Sequence, residues 1–477
     1  MIYENIDVNP SLAAMTRIFQ RQQAALSEAA TFTLEQRIAH LQALQAALKK
    51  HQDRLATELS ADYGHRSADE FKMAEMLFGL EGIKYCLNHI KGWMRPEKRH
   101  VSILQMPARA RVEYQPLGVV GIIVPWNYPV FLAVGPLMYA LAAGNRVMIK
   151  MSGYTPRLAE AFKHMLAEIY DIDHVAVITG QGAISEAFPK LAFNQITFTG
   201  STQVGRIVMQ EASRNLTPVL LELGGKSPVI VHESFPIQDA VERLAFGKCW
   251  NAGQTCVAAD HAYVATGRQA EFVERFTAQI KLMYPTLLNN PDYTSVINDK
   301  QYRRIQGYLD DARTRGAQII EINPAHEDFS GSRKMPVTLV IGVTRDMQIM
   351  QNEIFGPVLP VLEYTDLDEV LRYINSQPRP LALYYFDYDR KRIEYLIANS
   401  HSGGVTVNDV MSHVAVDDLP FGGVGASGMG KYHGREGFLA MSNARSVLIK
   451  SRFNGLKYIM PPFNKPAHAF IKRFFLS

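Results

Sequence analysis

"GVVGIIVPWNYPVFLAVGPLMYALAAG", residues 118–144, is the stretch of sequence that decides the fold. No charged residue occurs anywhere from Tyr114 to Asn145, which indicates a buried segment. Several prolines interrupt it and argue against a single membrane-spanning helix: Pro116, Pro125, Pro129 and Pro136. We predict a buried strand over GVVGIIVP, a turn at WNYP and a buried helix over LMYALAAG, the pattern of an α/β domain.

The pattern continues on the C-terminal side of this stretch. Short β-rich runs (VMIKMS, VAVITG and QITFTG) alternate with helical runs, and SPVIVHE and HAYVATG continue the alternation in a second half. At 477 residues the chain is too long for one ordinary core, so two large domains are expected. The sequence therefore predicts an α/β protein with parallel sheets wrapped by helices.

The part of the chain before residue 118 is predicted to contain two helices and a β-ribbon. Thr33 and Gln36 stand at the spacing of a capping box, and Gly64 ends the helix that they begin. A second helix is predicted from about Ser67 to Met94. The residues that follow, near 96–115, alternate in polarity as a β-ribbon does.

Composition excludes several classes of protein. The 50 basic and 46 acidic residues give a net charge of +4, too even to indicate nucleic-acid binding. Three cysteines, Cys86, Cys249 and Cys256, cannot form a disulfide framework in a chain of this size, and none lies in a CxxC pair, so we expect no structural metal site. The N-terminal residues lack the pattern of a secretory signal. A reduced, cytoplasmic location is expected.

The C-terminal segment differs in charge from the rest. No acidic residue follows Glu436, whereas basic residues continue to the end and are mixed with aromatic ones, as in AHAFIKRFFLS. One interpretation is a solvated tail that packs across its own or a neighbouring subunit. The other is a basic, amphipathic end that touches a membrane surface or covers a substrate entrance.

Cys256 lies in the stretch NAGQTCVAAD, residues 251–260. A single cysteine is most often a small buried apolar residue, and Cys249 is expected to be one. Around Cys256, however, glycine and small polar residues predict a tight backbone rather than a packed apolar face. We predict that backbone amides point at its thiol, that the thiol is partly ionised near neutral pH, and that it is a nucleophile.

Glu222 stands between two leucines in VLLELGGKSP, at the end of a predicted strand. A carboxyl group in apolar surroundings has a raised pKa, which suits a general base that accepts a proton from water. The alternative is an ordinary surface carboxylate at a strand end.

The signal for a nucleotide cofactor is weaker. Residues 1–221 contain no GxGxxG motif. In TFTGSTQVGR, however, Gly200 and Gly205 follow a β-rich run at the start of a helix. Such a helix start can hold a pyrophosphate, although this spacing alone has low specificity.

Six motifs in this order resemble those of the aldehyde dehydrogenase superfamily over nearly the whole chain. They are PWNYP (125–129), FTGSTQVG (198–205), LELGGKSP (221–228), GQTC (253–256), NEIFGPVLPV (352–361) and PFGGVGASGMG (420–430). The early PWNYP motif and the short N-terminus resemble the dimeric, class-3-like branch. Within that branch, MYPTLLNNPDYTSVIN and VNDVMSHV are most similar to bacterial coniferyl-aldehyde dehydrogenases.

The resemblance implies an architecture of two Rossmann-like parallel-sheet domains and a small β-ribbon oligomerisation element. Residues 1–221 would form the cofactor domain, with the β-ribbon of about 96–115 contributing to oligomerisation. Residues 222–407 would form the catalytic domain, and residues 408–477 an oligomerisation segment with the basic tail. A homodimer is expected.

The resemblance also implies the roles of site residues. Cys256 would attack an aldehyde, the side-chain amide of Asn127 and the N–H of Cys256 would hold the oxyanion, and Glu222 would activate the water that hydrolyses the thioester. NAD or NADP would be the cofactor. Its binding residues would be Trp126, Lys150, Thr199, Gly200, Ser201, Gly205, Glu353 and Phe355, with Lys150 at the adenosine ribose and Glu353 at the nicotinamide ribose.

The chain departs from the family at KMSG, residues 150–153, where the family commonly has KPSE. The family's glutamate accepts a hydrogen bond from the ribose 2′-hydroxyl and repels a 2′-phosphate. Because Gly153 removes that repulsion, we expect this chain to accept NADP at least as well as relatives that keep the acid. Met151 replaces the family's proline, so the ribose contacts are less constrained.

The substrate stays open between two classes. Tyr128, Phe131, Leu132 and Trp250 form apolar surroundings that suit bulky aromatic aldehydes of the coniferaldehyde type, or medium and long aliphatic aldehydes. Two other functions are weighed against aldehyde oxidation. One is acyl transfer to coenzyme A, whose enzymes generally lack the glutamate at position 222, and the other is a non-catalytic scaffold on the same fold.

Overall fold

The computed structural model describes residues 10–28 and 31–476; residues 1–9, 29–30 and 477, which the predicted domains include, lie outside it. Its strands are β1 Glu97–Arg99, β2 Arg109–Pro116, β3 Val119–Ile123, β4 Arg146–Lys150, β5 Val175–Ile178, β6 Gln195–Thr199, β7 Val219–Glu222, β8 Pro228–Val231, β9 His261–Ala265, β10 Gln318–Ile322, β11 Val337–Ile341, β12 Val358–Tyr364, β13 Ala382–Phe386, β14 Gly404–Val407, β15 Gly428–Met429 and β16 Ser442–Ile449. Its α-helices are α1 Pro10–Glu28, α2 Leu34–Tyr63, α3 Ala68–Phe71, α4 Phe78–Trp93, α5 Phe131–Ala143, α6 Pro156–Ala167, α7 Ala183–Ala187, α8 Thr202–Ser213, α9 Ile237–Cys249, α10 Gln269–Met283, α11 Asp299–Thr314, α12 Gln348–Gln351, α13 Leu367–Ser376, α14 Arg390–Asn399, α15 Gly434–Ala440 and α16 Pro466–Phe475.

Residues 118–144 supply a central strand of a six-stranded sheet and a helix that packs on it. The strand order is β15–β7–β6–β3–β4–β5, parallel except for β15, which runs antiparallel to β7. Every residue of α5 after Phe131 is buried, although Pro136 lies inside the helix. The predicted strand, turn and helix are confirmed.

A second sheet of seven strands has the order β10–β11–β12–β9–β8–β13–β14 and is parallel except for β10. β7 ends at Glu222 in the first sheet and β8 begins at Pro228 in the second. The predicted boundary between residues 221 and 222 therefore falls close to the change of sheet. The predicted α/β fold with two parallel-strand sheets is confirmed.

The third sheet is antiparallel and has the order β1–β2–β16. Its first two strands lie within the predicted β-ribbon near 96–115, and β16 pairs with the whole length of β2. Within residues 408–477, which are predicted to form an oligomerisation segment with the basic tail, β15 pairs with β7 in the six-stranded sheet and β16 joins the ribbon.

The N-terminal helices follow their predicted ends. Thr33 and Gln36 form the capping box of α2, and Gly64 ends that helix at a φ of 79°. The second predicted helix, 67–94, is helical throughout but contains a π-helical turn at Lys72–Leu77 between α3 and α4. No α-helix among residues 10–28 and 31–476 is long and apolar enough to cross a membrane.

Candidate active site

The loop that carries Cys256 leaves α9 in an unusual conformation. Residues 251–253 have φ values of 51°, 50° and 70°, three consecutive left-handed residues of which only the last is glycine. The side chain of Gln254 holds this loop in place. Its Nε2 donates to the carbonyl oxygen of Ser295 at 3.0 Å, and its Oε1 accepts from the N–H of Ile297 at 2.9 Å.

The thiol of Cys256 is half-buried, whereas the other two cysteines are fully buried. Burial raises its pKa to about 12, and the carboxyl groups of Glu353 and Glu222 raise it further. The N–H groups of Cys256 and Val257 act in the opposite direction, as predicted, but they are outweighed. The prediction of a thiol partly ionised near neutral pH is therefore wrong for this state of the site.

Glu222 is buried at the carboxyl end of β7. Neither of its carboxylate oxygens has a hydrogen-bond partner within the described ranges. Burial raises its pKa well above the usual range, and the nearby ammonium of Lys431 lowers it in part. The predicted raised pKa is confirmed, and the alternative of an ordinary surface carboxylate is wrong.

Asn127 lies in the loop between β3 and α5, and its backbone and side chain both face the cysteine loop. Its Nδ2 donates to the carbonyl oxygen of Gln254 at 3.2 Å. Its own carbonyl oxygen accepts from Arg66 Nη1 at 2.6 Å and from Asn251 Nδ2 at 3.0 Å. Glu75, in the π-helical turn, pairs with Arg66 at 3.2 Å. Sequence reasoning missed both charged residues because nothing local marks them as buried.

Most of the predicted site residues line one cavity of about 770 Å³. These are Cys256, Glu222, Asn127, Trp126, Thr199, Gly200, Ser201, Glu353 and Phe355. Ser201 caps α8, its hydroxyl accepting from the N–H of Val204 at 3.4 Å, so the positive end of that helix opens beside the cavity. This arrangement fits a dinucleotide, because a helix N-terminus can bind a pyrophosphate and the thiol of Cys256 lines the same cavity.

The segment that contains Glu353 is held from two directions. Glu353 Oε1 accepts from the N–H of Gly225 at 3.3 Å, and burial raises its pKa to about 7. Arg304, which sequence reasoning missed, donates to the carbonyl oxygen of Glu353 at 3.0 Å. Phe355 follows at a φ of 49°, with its ring centroid 5.3 Å from that of Trp126.

Two predicted cofactor residues do not line this cavity. Lys150 is buried, and its Nζ donates to the carbonyl oxygens of Met151 at 2.8 Å and Gly180 at 2.7 Å. Burial lowers its pKa to about 8. At Gly205 a Cβ would lie 2.6 Å from Leu223 Cδ2, so a glycine at this position lets α8 pack closely against the segment that follows β7.

The three predicted substrate residues do not line the 770 Å³ cavity. Tyr128 is buried and its hydroxyl lies 2.6 Å from Thr255 Oγ1, next to the cysteine. Phe131 and Trp250 are half-buried. The ring of Trp250 lies 4.7 Å from that of the exposed Phe246, an aromatic neighbour that sequence reasoning did not single out.

Comparison with known proteins agrees with these arrangements. The family model described as "Aldehyde dehydrogenase family" matches residues 11–447. A protein of Pseudomonas aeruginosa described as "Probable coniferyl aldehyde dehydrogenase" is 50% identical over 459 residues, which are 96% of each chain. A protein of Canis lupus familiaris described as "Aldehyde dehydrogenase, dimeric NADP-preferring" is 36% identical over 94% of this chain and 98% of its own.

Two solved structures show the same fold. The substrate-bound state of Staphylococcus aureus AldH superposes with a TM-score of 0.91 at 36% identity, covering 99% of this chain and 100% of its own. A Mycobacterium tuberculosis aldehyde dehydrogenase complexed with NAD+ has a TM-score of 0.84 at 26% identity, covering 93% of this chain and 91% of its own.

Proposed function

The chain belongs to the aldehyde dehydrogenase family and is an NAD(P)-dependent oxidoreductase, and we propose that it oxidises a bulky aromatic aldehyde of the coniferaldehyde type to the carboxylic acid. The observation that carries the proposal is the 50% identity to a probable coniferyl aldehyde dehydrogenase over 96% of both chains. The placement of Cys256, Asn127 and Glu222 on one cavity supports it.

The first step is attack of the Cys256 sulfur on the aldehyde carbon, which gives a thiohemiacetal. Asn127 Nδ2 and the N–H of Cys256 are the proposed donors to the oxyanion, and losing one such donor typically costs about 2.7–4 kcal/mol of barrier. Because burial raises the thiol pKa to about 12, the thiol loses its proton as the carbon–sulfur bond forms. Glu222 is the proposed acceptor, directly or through one water.

A nicotinamide held beside Trp126, Glu353 and Phe355 would supply the hydride acceptor for the oxidation, which leaves an acyl thioester on Cys256. Once Glu222 has released the thiol proton to solvent, it takes a proton from a water that attacks the thioester carbonyl, and it returns that proton to the sulfur as the carboxylic acid leaves. A buried carboxylate with a raised pKa suits this task near and above neutral pH. The same residue argues against acyl transfer to coenzyme A, and the assembled site argues against a scaffold.

The substrate class is tested by the ratio of kcat/KM for coniferaldehyde to that for dodecanal. We expect this ratio to exceed one by at least about tenfold, the effect of roughly 1.4 kcal/mol of aromatic packing. In Trp250→Leu the ratio should fall toward one, while the matched control Trp250→Phe keeps it. A ratio below one in the unaltered chain would identify the alternative, a medium- or long-chain aliphatic aldehyde dehydrogenase.

The same measurement on a chain ending at Lys450 examines the C-terminal tail. Beyond that point α16 exposes Phe470 and Phe474 beside Lys472. A changed ratio identifies the tail as a cover of the substrate entrance, and an unchanged ratio leaves it as a subunit contact. A further alternative is that the tail contacts a membrane surface. In that case the full chain should sediment with anionic vesicles, and the truncated chain should do so less.

Cofactor choice depends on the part of the cavity near Gly153, where the described residues that line it, such as Ser152, Gln181 and Ser185, are not acidic. A Cβ at position 153 would collide with Gln181 Cγ, and Gln181 Nε2 donates to the carbonyl oxygen of Gly153. A neutral amide therefore occupies the space that a side chain at 153 would need. We propose that NADP is accepted at least as well as by relatives with the acid.

The double variant Gly153→Glu, Gln181→Gly restores an acid and makes room for it. We expect kcat/KM for NADP to fall by at least about tenfold, because a carboxylate repels the 2′-phosphate, whereas kcat/KM for NAD is kept. Gln181→Gly alone is the control and should leave the ratio of the two cofactors unchanged. A strong preference of the unaltered chain for NAD would refute the proposal.

We also propose a homodimer, as in the class-3-like branch. The edge strands of the three sheets include β14 in the seven-stranded sheet and β16 in the antiparallel sheet, and Leu448 and Ile449 of β16 are exposed. An uncovered edge strand with exposed apolar residues favours pairing with another chain. Light scattering should give twice the 53.5 kDa of one chain. A mass of 53.5 kDa at micromolar concentration would contradict the proposal.

A further inference from the structure

Lys431 directly follows the last of the six motifs and comes close to the proposed general base. Gly428 of β15 pairs with Glu222 of β7, so the residues after β15 pass the end of the strand that carries the carboxylate. Lys431 is half-buried, and its Nζ donates to the carbonyl oxygens of Gly403, at 3.2 Å, and Gly422. The ammonium is therefore held in place rather than free in solvent.

Gly422 leaves the space between the two charged side chains open. A Cβ on this residue would lie 2.6 Å from Glu222 Oε1 and 3.0 Å from Lys431 Cδ, so both side chains flank the same glycine. Its φ of 152° also lies in the region that favours glycine.

The other titratable groups near Glu222 carry no positive charge. Tyr432, next to Lys431, is buried with a strongly raised pKa, and the Cys256 thiol on the facing loop has a pKa raised to about 12. Glu353 lines the same cavity and is itself an acid. Within the described ranges, the charge that lowers the pKa of Glu222 against the effect of burial is that of Lys431.

We propose that Lys431 is a positioning residue for the reaction: its ammonium sets the pH above which Glu222 is ionised and able to activate water for thioester hydrolysis. This inference rests on the proposed role of Glu222 as the general base. In the proposed role the lysine contacts neither substrate nor cofactor, and it acts on the reaction only through the carboxylate of Glu222.

The direction of the effect follows from the charges. A neighbouring cation stabilises the ionised carboxylate, so removing it raises the pKa of Glu222 further. Hydrolysis is fast only above that pKa, so the acidic limb of the pH profile moves to higher pH. Because Lys431 is half-buried, solvent and salt screen part of the interaction, and we expect a shift of about one pH unit, the low end of what a nearby opposite charge produces.

The test uses hydrolysis of 4-nitrophenyl acetate, which acetylates Cys256 without any aldehyde or cofactor. The rate of deacetylation is followed against pH at low ionic strength for the unaltered chain, for Lys431→Met and for Lys431→Arg. We expect the acidic limb of the profile to move to higher pH by about one unit in Lys431→Met. In Lys431→Arg, which keeps the charge, the limb should stay at the same pH. A profile that only drops in height in Lys431→Met would assign the lysine a structural role and overturn the proposal.

A second measurement needs no variant and so does not depend on how Lys431→Met folds. In the unaltered chain, raising the salt concentration should move the acidic limb in the same direction, because screening weakens the same interaction. An acidic limb that does not respond to salt would overturn the proposal. Failure of the chain to oxidise any aldehyde would instead refute the proposed function, since deacetylation is measured independently of that reaction.

Discussion

Burial of acidic groups around one thiol is the constraint on which the site depends. Cys256, Glu222 and Glu353 line one cavity, and burial is the largest cause of the raised pKa of each. Three anions in so small a volume would repel one another strongly. The resting site therefore favours protonated groups, and in the proposed reaction charge develops on sulfur only as the bond to substrate forms. The cation of Lys431 moves this balance toward an ionised Glu222.

Hydrogen bonds to the carbonyl group of Asn127 hold the loop of the proposed nucleophile, Cys256, and the proposed oxyanion donor in a fixed relative position. The carbonyl oxygen of Asn127 accepts from Arg66, from Asn251 in the cysteine loop and from Tyr63 at the end of α2. In return, the Asn127 side chain donates to the backbone of Gln254. Because these bonds join the β3–α5 loop to the cysteine loop, a shift of one loop costs the hydrogen bonds of the other.

The helices and strands and most of the site residues could be predicted from the sequence, because the patterns that indicate them are local. The capping box at Thr33, the buried strand and helix of residues 118–144, and the apolar neighbours of Glu222 all lie within a few residues of what they predict. The ionisation of Cys256 was predicted wrongly, because burial of the thiol, which is the largest cause of its raised pKa, and the carboxyl groups of Glu353 and Glu222 both depend on segments distant in the sequence. The burial of Arg66 was missed for the same reason.

Mass spectrometry of the Glu222→Gln variant, incubated with coniferaldehyde and NAD or NADP, tests the central claim most directly. Without Glu222 the thiol proton must pass to water, so the thioester should form more slowly; once formed it should persist, because no base activates the water that hydrolyses it. The peptide that contains Cys256 should then carry the mass of one feruloyl group, and Cys256→Ser should carry none. Steady turnover in Glu222→Gln, or the same adduct on another residue, would contradict the assignment of Cys256 as nucleophile and Glu222 as the base that hydrolyses the thioester.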